Sequence, residues 1–187
     1  MRTFKHTQGN GALRNPQAGF TLIEMVIAAA ILLVGLMAGI ALIITAMAND
    51  SRSKNDTSAT VLAQMTIETI AAVPANATTS MTIIDCNPTT SSASHAVNTT
   101  GSSSGAGAPL TSGIIDFSQS SVSGYSMIYY GCQASTGDRQ TTYDVRWNIK
   151  TLTTNTKLIT VAAKPIVGST HANYIAVPVT LKMIVGI

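Results

Sequence analysis

The amino-acid sequence predicts an α+β protein in which one long N-terminal helix packs on a C-terminal antiparallel β-sheet. Three patterns support this prediction. An unbroken apolar run covers residues 25–44, apolar residues then recur at helical spacing over 59–73, and apolar and polar residues alternate after residue 113. A helix repeats every 3.6 residues and a half-buried strand every two, so these patterns separate a helical half from a strand half.

The first element, residues 1–19, is a polar segment with three basic residues and no acidic residue. It contains several Gly, Asn and Pro residues and shows no periodicity, so we expect a flexible leader. The whole chain has a formal net charge of +3, and this segment carries all of that excess. The basic isoelectric point therefore gives no argument for nucleic-acid binding by the remaining chain, and we predict no nucleic-acid partner.

Residues 20–44 predict a helix that spans a membrane. Their twenty consecutive apolar residues would extend about 30 Å as a helix, which matches the hydrocarbon thickness of a bilayer. Three basic residues precede this span, whereas Arg52 and Lys54 follow it. This bias favours an N-terminus on the cytoplasmic side of the membrane.

Glu24 is a carboxylate inside the apolar N-terminal end of this span. A charged side chain costs roughly 2.5–3.5 kcal/mol at the middle of a membrane helix, so a partner for Glu24 has to be considered. One interpretation is an interfacial Glu that reaches headgroups or water, and the other is a functional contact.

Gly35 and Gly39 lie further along the span at G-x-x-x-G spacing. This spacing lets membrane helices approach each other closely, so the pair is a candidate helix-packing site. One alternative is that the two glycines loosen the helix locally, because each Gly costs up to about 1 kcal/mol relative to Ala. The other is that the spacing arises by chance in a run rich in Gly and Ala.

A second helical stretch, 45–73, follows the span. Its apolar face, within an arc of about 80°, would consist of Ala59, Leu62, Thr66, Ile70 and Val73. Gln64 and Glu68 lie on the opposite side. We expect the apolar face to pack on a domain and the helix to end just before Pro74. Residues 49–53 include poor helix formers, which allow a bend directly after the span.

Residues 74–112 are rich in Ser, Thr, Ala, Gly and Asn, which predicts a mobile loop region. Within it, Gly101-Ser102-Ser103-Ser104-Gly105 matches G-x-S-x-G, the pattern around the nucleophile of α/β-hydrolases. That nucleophile requires a buried strand before it and a helix after it. Both flanks here are of low complexity, so we reject the catalytic interpretation.

Residues 113–187 predict an antiparallel sheet domain. Alternation over 143–150 predicts a strand with one buried and one wet face, and a second strand at 159–163 completes a hairpin. Further strand candidates are 114–117, 125–132 and 175–187. Pro178 would place the last strand at an edge or a bulge of the sheet.

The junction between leader and span carries a family resemblance. Gly19-Phe20-Thr21-Leu22-Ile23-Glu24, between a basic leader and a full-length apolar span, resembles the type III signal of type IV prepilins and pseudopilins. The resemblance implies that a prepilin peptidase cuts between Gly19 and Phe20 and that Phe20 is then N-methylated. It also implies that Glu24, the fifth residue of the processed chain, meets the N-terminal amine of a neighbouring subunit during assembly.

Other segments are similar to minor pilins of the PilV type and to related minor pseudopilins. These segments are Glu24-Met25-Val26-Ile27-Ala28, Gly35-Leu36 and Leu62-Ala63-Gln64. Major pilins often have a Pro near the twenty-second residue of the processed chain, where this chain has Ala41 and Leu42. The resemblance therefore implies a minor filament subunit with the pilin fold.

The resemblance also implies partners and a location. The partners would be the prepilin peptidase/N-methyltransferase, other pilin subunits and an inner-membrane assembly platform. The precursor would cross the inner membrane once, with a cytoplasmic N-terminus and a periplasmic domain, and would then enter an extracellular or periplasmic filament. A minor pseudopilin of type II secretion and a DNA-uptake pilus subunit are alternatives within this class.

A soluble secreted binding domain is an alternative of another class. Ala46-Met47-Ala48 has the A-x-A form of a signal-peptidase site, and cleavage after Ala48 would release the rest of the chain. The apolar run is longer than the 7–15 residues of a signal peptide, which favours the membrane span.

Cys86 and Cys132 both follow the span, so export would place them in an oxidising compartment where a disulfide is expected. The bond would close a loop of about 47 residues and contribute roughly 4 kcal/mol in the chain-entropy model. The alternative is two unpaired thiols that pack as small apolar groups.

Catalytic and metal-binding patterns are missing from the sequence. His6 lies in the leader, and His95 and His171 lie in polar segments. No Cys or His pair has the spacing of metal ligands, and no phosphate-binding loop or clustered pair of carboxylates is visible. We therefore predict a protein that is not an enzyme and that holds no cofactor or metal ion.

Overall fold

The computed structural model describes residues 19–87, 93–132, 140–166 and 176–186. It confirms the α+β class, since one long N-terminal helix packs on antiparallel β-sheets. The chain divides into two compact units, of which the first ends at Met47 and the second begins at Ala48. The described elements are α1 (Leu22–Ala71), β1 (Ser80–Ile84), β2 (Ser94–Asn98), β3 (Ala106–Gly107), β4 (Leu110–Thr111), β5 (Ile114–Ile115), β6 (Ser126–Tyr130), β7 (Thr142–Thr153), β8 (Thr156–Ile166) and β9 (Val179–Gly186).

In the first unit, the apolar side chains of α1 are uncovered. Every residue from Leu22 to Met47 is exposed except Gly39, which is half-buried. By length and composition this helix is able to cross a membrane. The described chain supplies no cover for this surface, so lipid or another protein has to shield it from water. Residues 1–18 of the predicted leader, which ends at Gly19, lie outside the described residues.

α1 is continuous through residues 49–53, where poor helix formers allowed a bend. Lys54 and Asp50, one turn apart on this exposed stretch, form an ion pair with an N–O distance of 2.8 Å. Such pairs add a few tenths of a kcal/mol to a helix. The local cost of the poor helix formers is thus partly offset within the same turn.

In the second unit, the C-terminal part of α1 buries one face against the sheet. The buried residues of α1 are Ala59, Leu62, Ala63, Thr66, Ile67 and Ile70. They confirm the predicted apolar face and widen it by Ala63 and Ile67. Gln64 and Glu68, which were predicted on the opposite side, are exposed and joined by a hydrogen bond of 2.9 Å.

A buried lysine holds the end of α1. Lys157 of β8 is 1% exposed, and its Nζ donates to the carbonyl oxygens of Ile70 (2.8 Å) and Val73 (2.7 Å). A helix leaves its last carbonyls unbonded, and its C-terminus carries partial negative charge, so an ammonium group is well placed there. Burial lowers the pKa of Lys157. The helix ends at Ala71, two residues before the predicted Val73.

β7 is the central strand of the main sheet. It pairs along its length with β8, and β8 pairs with β9, in both cases antiparallel. On its other side, β7 pairs with β6 near its start and with β3 near its end. The hairpin predicted over 143–163 and the strand predicted within 125–132 are confirmed. Among the described strands, β9 pairs only with β8 and forms an edge of the sheet, which is one of the two positions that Pro178 predicted.

The core lies between α1 and one face of this sheet. Trp147, at its centre, is fully buried, and its Nε1 donates to the backbone oxygen of Asn98 (3.0 Å). The other core side chains from β7 and β8 alternate as predicted; they are Tyr143, Val145, Ile149, Ile159, Val161 and Ala163. The half-buried apolar side chains of β9 pack against this cluster from the edge.

The second face of β7 is covered at Arg146 and Asn148, where the alternation predicted a wet face, whereas Lys150 on the same face is exposed as predicted. Arg146 is 8% and Asn148 is 6% exposed. The guanidinium of Arg146 donates to the carboxylate of Asp144 (2.8 Å), and Asn148 donates to the backbone oxygen of Ala108 (2.9 Å). The ring centre of Phe117, in the segment after β5, lies 5.0 Å from the Arg146 guanidinium carbon. Polar residues satisfied by a covering loop give the same sequence pattern as residues that face water, so the prediction failed here.

Strands also occupy part of residues 74–112, where a mobile loop was predicted. β1 and β2 pair antiparallel, and Ile83 and Val97 from this pair are buried in the core. β4 and β5 are joined by Ser112 and Gly113, both at positive φ, as the tightest hairpin turns require. These strands carry few inward apolar side chains among many Ser and Thr residues. Their alternation of apolar and polar residues was therefore too weak to predict a strand. β5 is also shorter than the predicted strand at 114–117.

Candidate functional site

The start of α1 carries the residues predicted for cleavage and assembly. Gly19, Phe20 and Thr21 precede the helix, which begins at Leu22. The Phe20 residue is 85% exposed. Thr21 already takes part in the first turn, but Gly19 and Phe20 are exposed and lie outside the helix, and exposed irregular backbone is what proteolytic processing requires.

Thr21 and Glu24 form a capping box at the first turn of α1. The backbone N–H and the hydroxyl of Thr21 donate to Glu24 Oε2 at 2.9 and 3.0 Å. In return, the Glu24 N–H donates to Thr21 Oγ1 at 3.4 Å. Reciprocal bonds of this kind satisfy two donors that the helix would otherwise leave unbonded. The capping box was not predicted, although T-x-x-E before an apolar run is its recognised signal.

The capping box leaves part of the Glu24 carboxylate available. Glu24 Oε1 accepts no hydrogen bond from the residues that the structure describes, because all the bonds of this carboxylate go to Oε2. A carboxylate has about four acceptor sites on its two oxygens. Glu24 is therefore able to cap its own helix and to accept an additional donor from outside the chain.

The three glycines of this region have open surroundings. A Cβ atom added at Gly19, Gly35 or Gly39 would meet no atom within 4 Å. The part of the chain that the structure describes therefore imposes no demand for a small residue at these positions. Any such demand has to come from another molecule, such as a peptidase at Gly19 or a second helix at Gly35 and Gly39.

The two cysteines lie together in the second unit. Cys86 follows β1 and Cys132 follows β6, and their sulfurs form a disulfide with a Cα–Cα distance of 5.0 Å. This distance is within the range of ordinary disulfides. Beside them, the buried carboxylate of Asp85 accepts a hydrogen bond of 3.0 Å from His95 Nε2.

The G-x-S-x-G pattern belongs to the sheet and not to a nucleophile turn. Ser102 forms a parallel bridge with Lys150 at the end of β7, and its N–H donates to the backbone oxygen of Ile149 (3.3 Å). Gly101 is close to Ile149 and Thr151, which explains a small residue there. In the described ranges, no group of three His, Cys, Asp or Glu residues is placed to hold a metal ion. His6 and His171 lie outside those ranges.

Comparison with known proteins gives one match. Residues 14–40 match the family described as "Prokaryotic N-terminal methylation motif". No curated protein and no solved structure matches the chain. The matched segment contains the predicted cleavage junction, the capping box and most of the exposed apolar helix, and it ends before the second unit.

This motif implies a subunit similar to type IV pilins and pseudopilins, which are structural and not catalytic proteins. It also implies processing by a prepilin peptidase and assembly with other pilins. Together with the exposed apolar helix, it indicates a precursor anchored in a membrane.

Proposed function

We propose that this chain is a structural subunit, and more narrowly a minor pilin of the PilV type, of a type IV pilus-like filament. The observation that carries the proposal is the methylation motif at residues 14–40, placed on the exposed apolar start of α1. The motif explains why an apolar helix of this length carries a carboxylate in its first turn.

Processing would occur between Gly19 and Phe20. The peptidase would cut this bond on the cytoplasmic side of the inner membrane, and the new amino group of Phe20 would then be methylated. The exposed irregular backbone ahead of Leu22 supports a cut here, because the helix and its capping box begin after the bond. Removal of residues 1–19 would leave α1 intact.

Assembly would transfer the apolar part of α1 from lipid to the core of a filament. This transfer exchanges one apolar environment for another, so its cost in hydrophobic free energy is small. Glu24 would receive the N-terminal amine of a neighbouring subunit at Oε1, the oxygen that the capping box leaves free. An ion pair shielded from water is much stronger than one at a surface. This pair would therefore favour the filament over the free subunit.

The remaining residues would act outside the membrane. The N-terminus would stay cytoplasmic before cleavage, and the second unit, with its disulfide, would lie in the periplasm and later on the filament. Gly35 and Gly39 would let a neighbouring helix approach α1, since no atom of the described residues occupies the space beside them. Partners would be the peptidase/N-methyltransferase, other pilin subunits and the inner-membrane assembly platform.

The substitution Gly19→Val tests the processing step. The motif requires a small residue at the cut, so the variant should accumulate in membranes as the uncut precursor. Immunoblotting of cell membranes would detect it by the retained leader. Gly35→Val is the matched control, because it makes the same change at an equally open position on the apolar helix. It should be cut normally. Normal cutting of Gly19→Val would contradict the proposal.

A further inference from the structure

Asp85 is a buried carboxylate that joins three segments of the second unit. Its side chain is fully buried, at 0% exposure. Oδ1 accepts from the backbone N–H groups of Asn87 (3.1 Å) and Ala93 (3.0 Å). Oδ2 accepts from His95 Nε2 (3.0 Å) and from the backbone N–H of Tyr130 (3.0 Å). One carboxylate therefore ties the end of β1 to the start of β2 and to the end of β6.

Both cysteines follow directly from the segments that Asp85 joins. Cys86 is the next residue after Asp85, and Cys132 is two residues after Tyr130. The Cys86 N–H also donates to the backbone oxygen of Tyr130 at 3.1 Å. The bond from Tyr130 to Asp85 and the bond from Cys86 to Tyr130 thus join the two segments that carry the cysteines, whose Cα atoms are 5.0 Å apart.

Gln140 also joins the two segments that carry the cysteines. Its Nε2 donates to the backbone oxygen of Cys86 (2.6 Å) and to that of Gly131 (3.0 Å). The Gly131 N–H in turn donates to the backbone oxygen of Thr141 (3.0 Å). None of these bonds involves a sulfur atom, so reduction of the disulfide removes none of their donors or acceptors.

We propose that Asp85 and Gln140 are positioning residues that hold the Cys86 and Cys132 thiols in bonding geometry before they are oxidised. In this account the sheet folds first and the disulfide closes a preformed site. The inference is independent of the filament role, because every residue in it lies in the second unit.

The reaction is an ordinary exchange with an external disulfide. One cysteine thiolate attacks the external disulfide and releases one thiol, which leaves a mixed disulfide on the protein. The other cysteine then attacks the protein sulfur of that mixed disulfide and releases the second thiol. The protein loses two S–H bonds and gains one S–S bond, while the external disulfide is reduced to two thiols. Positioning acts on the second step, because that step is intramolecular and depends on effective concentration.

The effective concentration of the thiol pair tests the proposal. The full-length protein, reduced in detergent micelles, would be equilibrated with reduced and oxidised glutathione, and the disulfide fraction would be measured after acid quenching and alkylation. Asp85→Asn should lower the effective concentration by about tenfold or more, because the amide disrupts a site that accepts four hydrogen bonds. Asp116→Asn is the matched control, since Asp116 also accepts from nearby Ser and Thr groups but is only half-buried and takes no part in the bonds around the two cysteines. It should match the wild type.

A purely structural role for Asp85 gives a different result. In that case Asp85→Asn would lower the free energy of unfolding of the oxidised and the reduced protein by the same amount. The effective concentration depends on the difference between these two free energies, so it would not change. An unchanged value would overturn the proposal. If Asp85→Asn does not fold, Gln140→Met decides, since it removes two hydrogen bonds and leaves the carboxylate in place. A Gln140→Met protein with the wild-type effective concentration would also overturn the proposal.

Discussion

At the start of α1, the Glu24 carboxylate bonds to Thr21 through one oxygen and leaves the other without a described donor. Two properties of this side chain are therefore separable by substitution. Capping needs an acceptor oxygen, which an amide also supplies. Pairing with an amine in an apolar environment needs the negative charge.

We expect Glu24 to matter for assembly and not for membrane residence. Glu24→Val removes a charge from the span, so insertion should be unharmed, and the cut at Gly19 should persist. Glu24→Gln should behave in the same way while keeping the capping box. Both variants should be missing from filaments sheared from cells, as measured by probing the sheared fraction for this protein, because neither offers a negative charge to the arriving amine.

Thr21→Ala is the complementary control for Glu24. It removes the N-cap at a cost of about 1 kcal/mol to the helix but keeps the charge. This variant should enter filaments. Normal amounts of Glu24→Gln in sheared filaments would show that the charge is not the assembly contact, and a loss of Thr21→Ala alone would show that capping is.

Asp85 predicts a loss of stability in acid. Burial alone would raise the pKa of this carboxyl, but hydrogen bonds from His95 and three backbone N–H groups outweigh it and hold the pKa below the ordinary value. A carboxyl whose folded-state pKa is lowered stabilises the fold above its unfolded pKa, about 3.9, and the stabilisation disappears as the pH falls through the folded value. Unfolding of the full chain in detergent, measured by urea titration, should show a free energy that falls below about pH 4. Asp85→Asn should flatten that part of the curve, and an equal slope in both proteins would contradict this assignment.

At the scale of elements, the junction between α1 and β8 depends on Lys157. Lys157→Met should lower the free energy of unfolding by about 2–3 kcal/mol, because the carbonyls of Ile70 and Val73 lose their buried donor. Part of this loss is offset, since a buried ammonium no longer has to be desolvated. Lys150→Met, an exposed lysine on β7, should change the free energy by less than about 0.5 kcal/mol in the same urea titration. Equal effects of the two substitutions would mean that the bonds from Lys157 to the end of α1 do not stabilise the fold.

The elements that the sequence predicted best are those whose burial alternates strongly. The buried face of α1 and the β7–β8 hairpin each repeat an apolar residue over several turns or pairs, so periodicity alone identifies them. β1 and β2 escaped prediction because they bury only a few side chains each. The covered face of β7 escaped because Arg146 and Asn148 are satisfied by segments distant in sequence.

The candidate site followed a similar rule. Gly19, Phe20 and Glu24 were predicted because a short local motif carries them, and they lie together at one end of α1; their roles stay predictions. The capping box was also local and could have been predicted from T-x-x-E. The Asp85 network could not, because its donors come from Ala93, His95 and Tyr130, which only the fold brings near.

At the scale of the whole molecule, the two compact units differ in what shields their apolar side chains from water. The first unit consists of an apolar helix that the described chain does not cover, so it requires lipid or other helices. The second unit has a packed core of its own, formed by the end of α1 and the sheet. The proposed role fits both units, because a subunit stored in a membrane and then placed in a filament keeps its apolar helix covered while its second unit folds around its own core.

The N-terminus of the mature protein, determined by mass spectrometry on material isolated from membranes, tests this account most directly. The account predicts a chain that begins at Phe20 and carries one added methyl group on its amine. A chain that begins at Asn49, after a signal-peptidase cut behind Ala48, would contradict it, because the released protein would lack both Glu24 and the apolar helix.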